Sequence, residues 1–302
     1  MKWKKLGRIF IPDGKSNWMH SYASVPVADI QSSNIVKVYF SARDMLQRSR
    51  VGYVTFDIET PDKILEVSED PVLSLGSLGC FDDSGSMASC LLSIDSKKYL
   101  YYIGWNLGVT VPFRNSIGLA ISEDDGRTFS RYAEGPIVDR TASEPHFTAS
   151  CCVLYDNECY RMWYLSCVNW DLVNSEPRHR YHIKYAESPD GINWKRDGRV
   201  AIDFQSEEEY AISCPRVIRD ESGYTMWYSY RGESYRIGFA HSPDGYNWNR
   251  EDQECGIDVS EQDWDSEMIC YPCVFDQNGQ RFMLYNGNGY GKTGFGLAVL
   301  QG

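Results

Sequence analysis

The sequence predicts an all-β fold, a five-bladed β-propeller with four antiparallel strands per blade. Three observations predict it. Ser188-Pro189-Asp190-Gly191-Ile192-Asn193-Trp194-Lys195-Arg196 returns as Ser242-Pro243-Asp244-Gly245-Tyr246-Asn247-Trp248-Asn249-Arg250, with a looser copy from Ser122 to Arg131. Asp-Gly between alternating runs is a strong hairpin signal, because glycine takes positive φ without steric cost. A second phrase, an anchor strand leading through a polar turn into an aromatic strand, occurs five times. Finally, no stretch sustains helical periodicity, while 21 Tyr, 9 Trp and 12 Phe suit half-buried pleated surfaces.

The elements follow in chain order. Gly7–Ile11 is expected to pair beside Phe295–Leu300, so that the N- and C-terminal strands close the ring and remove two exposed edges. First strands are expected near residues 22–28, 88–93, 149–154, 212–218 and 269–275. The aromatic second strands end at Phe40, Tyr102, Tyr164, Tyr228 and Tyr285. Ile117–Ala120, Ile183–Ala186 and Ile237–Ala240 read as third strands, each followed by its Asp-Gly hairpin. A repeat of roughly fifty to sixty-five residues suits a four-stranded blade. A closed all-β ring of this length is expected to be a single domain, residues 1–302.

A formal net charge of −12 and a pI near 4.9 oppose a nucleic-acid partner, which needs a basic stripe to neutralise phosphates. They leave room for a small anionic ligand held by a few local Arg or Lys residues. The basic start, Met1 to Arg8, has no apolar run behind it and does not read as a signal peptide. No apolar run is long enough for a bilayer, so no membrane partner and a cytoplasmic location are expected. Without an export signal the ten cysteines are expected to stay free. Cys90, Cys151, Cys152, Cys214 and Cys273 occupy equivalent strand positions and read as small buried hydrophobes. The five histidines show no ligand spacing, and neither a metal nor a cofactor is expected. Oligomeric state is open.

In a propeller the residues ahead of each first strand crowd the channel mouth. Four of the five repeats carry an acid there, in Phe81-Asp82-Asp83, Ser143-Glu144-Pro145-His146, Glu207-Glu208-Glu209 and Asp263-Trp264-Asp265-Ser266-Glu267. Asp83, Glu144, Glu209 and Glu267 are therefore the expected catalytic carboxylates, converging on one central pocket. Paired carboxylates suit glycosidic chemistry, where crowding separates a protonated acid from an ionised base. Glu144 or Glu267 is the expected acid and Asp83 the base or tuning partner. His20, Arg43, Trp105, Arg114, His146, Arg216, Arg231, Asn286 and Lys292 are the expected substrate-binding residues. Guanidinium groups facing a channel need an acidic or phosphate companion, so the expected ligand is a small carbohydrate or a sugar phosphate.

Tyr99-Leu100-Tyr101-Tyr102-Ile103-Gly104-Trp105, Arg161-Met162-Trp163-Tyr164 and the segment Tyr285–Gly296 resemble the five-bladed propeller glycosidases of glycoside hydrolase families 43, 32, 68, 117 and 130. Within them the chain resembles a branch encoded with surface-polysaccharide genes. The resemblance implies a glycoside hydrolase or phosphorylase. The alternatives are a non-catalytic carbohydrate-binding propeller and a glycosyl-transferring relative using a sugar phosphate. In the family 43 pattern a base Asp opens blade one, a tuning Asp blade two and an acid Glu blade three. Asp82 or Asp83 matches the second and Glu144 the third. Blade one, Trp18 to Pro26, has no acid. Carboxylates about 5 to 9.5 Å apart across a pocket would support hydrolysis. Acids all tied to arginines would support binding or architecture.

Overall fold

A computed structural model describes residues 1–302. β1 (Trp3–Phe10) is followed by antiparallel meanders of one design, each pairing its strands in chain order. The first is β2 (Ser21–Ile30), β3 (Ile35–Arg43), β4 (Ser49–Asp57) and β5 (Thr60–Val67). β6 (Gly85–Ile94), β7 (Lys97–Leu107), β8 (Phe113–Ser122) and the short β9 (Ser130–Arg131) repeat it. So do β10 (Thr148–Asp156), β11 (Cys159–Val173), β12 (Glu176–Ser188) and β13 (Val200–Ile202). β14 (Ala211–Asp220), β15 (Gly223–Arg231), β16 (Tyr235–Ser242) and β17 (Asn249–Arg250) follow. The last comprises β18 (Cys270–Gln277), β19 (Gln280–Asn286) and β20 (Phe295–Leu300), with β1 on the outer edge of β20. The β1 register sets Trp3 opposite Leu300, Gly7 opposite Leu297 and Phe10 opposite Phe295. β2 packs beside β6, β6 beside β10, β10 beside β14, β14 beside β18, and β18 beside β2. The fold is an all-β propeller, and each expected first strand overlaps one of these inner strands. No helix is long and apolar enough to cross a membrane.

The repeated Asp-Gly phrase joins each meander to its predecessor. Ser122, Ser188 and Ser242 accept from the backbone N–H of Gly126, Gly191 and Gly245 at 2.8, 2.9 and 2.8 Å, which closes the turns. The carbonyls of those glycines then accept from an aromatic side chain of the preceding meander: Tyr39 at 2.9 Å, Tyr101 at 3.0 Å and Trp163 at 3.0 Å. Glycine is required twice over at Gly126. Its φ is 75°, and a Cβ there would lie 1.8 Å from the Tyr39 hydroxyl.

The inner strands share a bulge, seen as register slips at Ser24/Val27, Ala88/Cys90, Thr148/Cys151, Ser213/Arg216 and Cys270/Cys273. The thiols there are more than apolar filler. Cys90 Sγ accepts from Val153 N–H, Cys152 Sγ from Val217 N–H and Cys273 Sγ from Ala28 N–H, at 3.2 to 3.3 Å, each across to the next meander. All ten cysteines are free and eight are buried. Cys270 and Cys273 have Cys-x-x-Cys spacing, and both are buried in β18.

Candidate functional site

The inner strands and the ends of the second and third strands enclose a central cavity of about 620 Å³. Its floor comes from the bulges. Val25, Cys214 and Tyr271 each precede a proline and take φ of 52°, 48° and 56°, a region that non-glycine residues seldom adopt. The three backbone N–H groups are held by neighbouring side chains: Asn286 Oδ1 at 2.8 Å, Ser150 Oγ at 2.9 Å and Ser229 Oγ at 2.7 Å. Strain that the surroundings hold in place at a cavity floor is a mark of a site under constraint.

The walls are aromatic. Trp105, on β7, is fixed by its N–H donating to Ser49 Oγ at 2.7 Å. His179 stacks on Tyr181 with centroids 4.5 Å apart and planes 12° from parallel. Burial first, then the Arg231 and Arg178 guanidiniums, push the His179 imidazole down to about 4, so it is neutral near pH 7. The hydroxyls of Tyr181 and Tyr235 meet at 2.6 Å. Two cations reach the cavity. Arg43 lies 4.7 Å from the centroid of Tyr22. Arg231 donates to the Tyr290 hydroxyl at 2.6 Å and stands 5.3 to 5.6 Å from the rings of Tyr210, Tyr235 and Tyr290. No carboxylate lines the cavity.

The four expected catalytic acids therefore do not converge on it. The acids at matched offset are Asp82, Glu144, Glu209 and Asp265, all buried. Each is neutralised inside the propeller wall. Asp82 accepts from Tyr102 at 2.9 Å and Arg131 at 2.7 Å. Glu144 accepts from Tyr164 at 3.0 Å and Ser166 at 2.7 Å, and pairs with Arg196 at 2.9 Å and Lys184 at 3.3 Å. Glu209 is gripped by both prongs of Arg250 at 2.8 Å. Asp265 takes Lys5 at 2.6 Å and Tyr285 at 3.1 Å. Burial pushes the Glu144 carboxyl up, but Ser166, Lys184, Arg196 and Tyr164 outweigh it and hold the carboxyl below the usual range. A general acid needs the opposite shift. Asp83 is half-buried and held by Asn106 at 2.7 Å, Gly79 N–H and Ser84. Burial raises its pKa, but those bonds leave it lowered. Glu267 is exposed. The matched offset has an architectural cause, and it selects Asp82 and Asp265 rather than Asp83 and Glu267. Asp82, Glu144 and Asp265 tie the loop before an inner strand to a second-strand tyrosine and a basic side chain, and Glu209 is held by Arg250 of the outer strand β17.

Of the expected binding residues, Arg43, Trp105 and Arg231 line the cavity. His20 is exposed, with Nδ1 2.9 Å from the Gly14 carbonyl. Arg114 and Lys292 are exposed and His146 is half-buried, all outside the lining. Arg216 donates from Nε to the Val274 carbonyl at 2.8 Å and borders a separate narrow gap with Cys151, Cys214 and Cys273. Asn286 is buried and positions the floor, bonding Val25 N–H, the Ala23 carbonyl at 2.7 Å and the Gly294 carbonyl at 2.9 Å. Sequence reasoning missed Tyr22, His179, Tyr181, Tyr235 and Tyr271. Tyr271 carries a usable signal, since it stands before the repeated proline as Val25 and Cys214 do. His179 and Tyr181 show only the alternation of β12.

No family model matches the chain. The protein Rv1502 of Mycobacterium tuberculosis is 45% identical over 301 residues, covering 100% of both chains. The solved structure of a glycosyl hydrolase from Bacteroides ovatus superposes with a TM-score of 0.70 at 15% identity, over 99% of this chain and 93% of that one. A thermostable family-43 glycoside hydrolase superposes with a TM-score of 0.68 at 17% identity, over 92% and 88%. The chain thus has the propeller fold found in family-43 glycoside hydrolases.

Proposed function

The chain belongs to the family of the mycobacterial protein Rv1502, and we propose that it is a glycoside-hydrolase-like propeller that holds a glycan or sugar conjugate in its central cavity. The observation that carries this reading is the cavity itself. It has the volume of a small-molecule site, aromatic walls against which sugar rings pack, and hydroxyl and amide groups to orient them. Its place in a fold shared with glycoside hydrolases supports a carbohydrate ligand. Hydrolysis by two carboxylates about 5 to 9.5 Å apart needs acids that this cavity lacks. Recognition without that chemistry is the better reading, and Asp83, Glu144, Glu209 and Glu267 have no role in bond cleavage.

We read the chain as one domain of five blades about a single axis, with β1 closing the ring. The cyclic packing of β2, β6, β10, β14 and β18 and the pairing of β1 with β20 support this. Ten free thiols support a reducing, cytoplasmic setting. The test is a glycan array read beside a hydrolysis screen of aryl glycosides and oligosaccharides. Saturable binding with no released sugar is expected. Turnover that disappears in Glu144→Gln or Asp83→Asn would overturn the reading.

A further inference from the structure

We propose that the ligand of this cavity carries an anionic group, a carboxylate, phosphate or sulfate, seated on Arg231; this rests on reading the cavity as a sugar site. The first ground is how charge is sorted in the molecule. Arg131, Arg196 and Arg250, with Lys5 and Lys184, each hold one of the buried acids of the wall. Asp44 takes Arg48 and Arg50, both at 2.9 Å, and leaves its neighbour Arg43 without a carboxylate. Arg231 and Arg178 have none either. In a chain of net charge −12, the cavity lining thus holds two guanidiniums, Arg43 and Arg231, and no carboxylate.

The second ground is desolvation. Arg231 is half-buried between phenol rings, which contribute through their faces but supply no counter-charge. Arg178 lies 4.5 Å from the same Tyr210 ring that carries Arg231, and its Nε is buried with no partner. Two cations on one ring repel, and each loses hydration. An anion in the cavity would meet Arg231 directly, and its charge would also offset the repulsion from Arg178 behind Tyr210. The third ground is the hydrogen-bonding inventory. Arginine only donates. With no carboxylate in the lining, the strongest polar groups of the cavity are donors, so the ligand must bring a strong acceptor. His179, held neutral, adds no charge of its own. The ring of the sugar would then lie along Tyr181, Trp105 and Phe113, with its acidic group toward Arg231.

The test pairs charged probes with neutral counterparts. Oligogalacturonides are compared with their methyl esters, and hexose phosphates with the free hexoses, by tryptophan fluorescence and calorimetry at low and at about 200 mM salt. Inorganic phosphate is titrated alone. Charged members are expected to bind about tenfold or more tighter than their partners, with the gap narrowing in salt. Arg231→Gln should abolish the gap and Arg231→Lys restore part of it, since lysine keeps the charge but not the fork. Arg114→Gln, outside the cavity, should leave it unchanged. Equal binding of charged and neutral members would overturn the anion seat and leave the sugar site standing. Phosphate binding that is lost in Arg231→Gln, with no sugar of either form bound, would support the seat and remove the sugar reading. Failure of every probe would overturn both.

Discussion

His179 packs between Tyr181 and Trp170, with Arg231 and Arg178 nearby, and its imidazole titrates near 4 rather than near 6.5. The folded state therefore holds it neutral where the unfolded chain would already take a proton. Stability is whole above about pH 6.5 and is lost as pH falls toward 4. His179→Phe should remove that loss, of order 2 kcal/mol, from the difference between urea unfolding at about pH 7 and about pH 4.5. An acid sensitivity identical in the two proteins would refute the assignment. Glu144 responds in the same direction for a different reason. Its pKa is lowered in the fold, so its contribution is present above the ordinary carboxylate value and is lost as pH falls through the folded value. The residue types at these positions are plain in the sequence. Their states are not, because Lys184, Arg196 and Arg231 come from distant parts of the chain.

At the scale of elements, three meanders are braced by an acid, a tyrosine and a cation: Asp82–Tyr102–Arg131, Glu144–Tyr164–Arg196 and Asp265–Tyr285–Lys5. Replacing Glu144 by Gln leaves Arg196 and Lys184 buried without their partner. The cost should be about 3 kcal/mol in chemical denaturation, with ligand affinity unchanged. A stable variant with lost affinity would return Glu144 to the site. The Asp-Gly turns act between meanders. Gly126→Ala meets the Tyr39 hydroxyl at a positive φ and should lower stability by roughly 1–3 kcal/mol, measured the same way. A neutral result would show that the clasp has little weight. The turn phrase was legible because it repeats and because Asp-Gly has few conformational alternatives. The bulge before the repeated proline was not legible, since a bulge is a register slip between two strands and a single strand does not display it.

For the molecule as a whole, β1 fills the edge of β20, and Lys5 and Trp3 reach Asp265 and the Cys255 carbonyl. A chain starting at residue 11 would expose that edge. It should melt lower and self-associate further, as seen by calorimetry and light scattering; an unchanged melting temperature and particle size would refute closure by β1. Thiol titration should find no more than Cys80 and Cys159 in the native protein and all ten after denaturation. The sequence by itself determined the all-β class, the repeat, the inner-strand positions and the pairing of the two ends. Those rest on local turn chemistry and on periodicity, which survive in one dimension. Only the tertiary structure decided which charges meet. An acid at a repeated offset can face the axis or its own wall, and Asp82, Glu144, Glu209 and Asp265 turn to the wall because the tyrosines and basic side chains that neutralise them wait there. Arg231, which finds no acid in the fold, is left to the cavity.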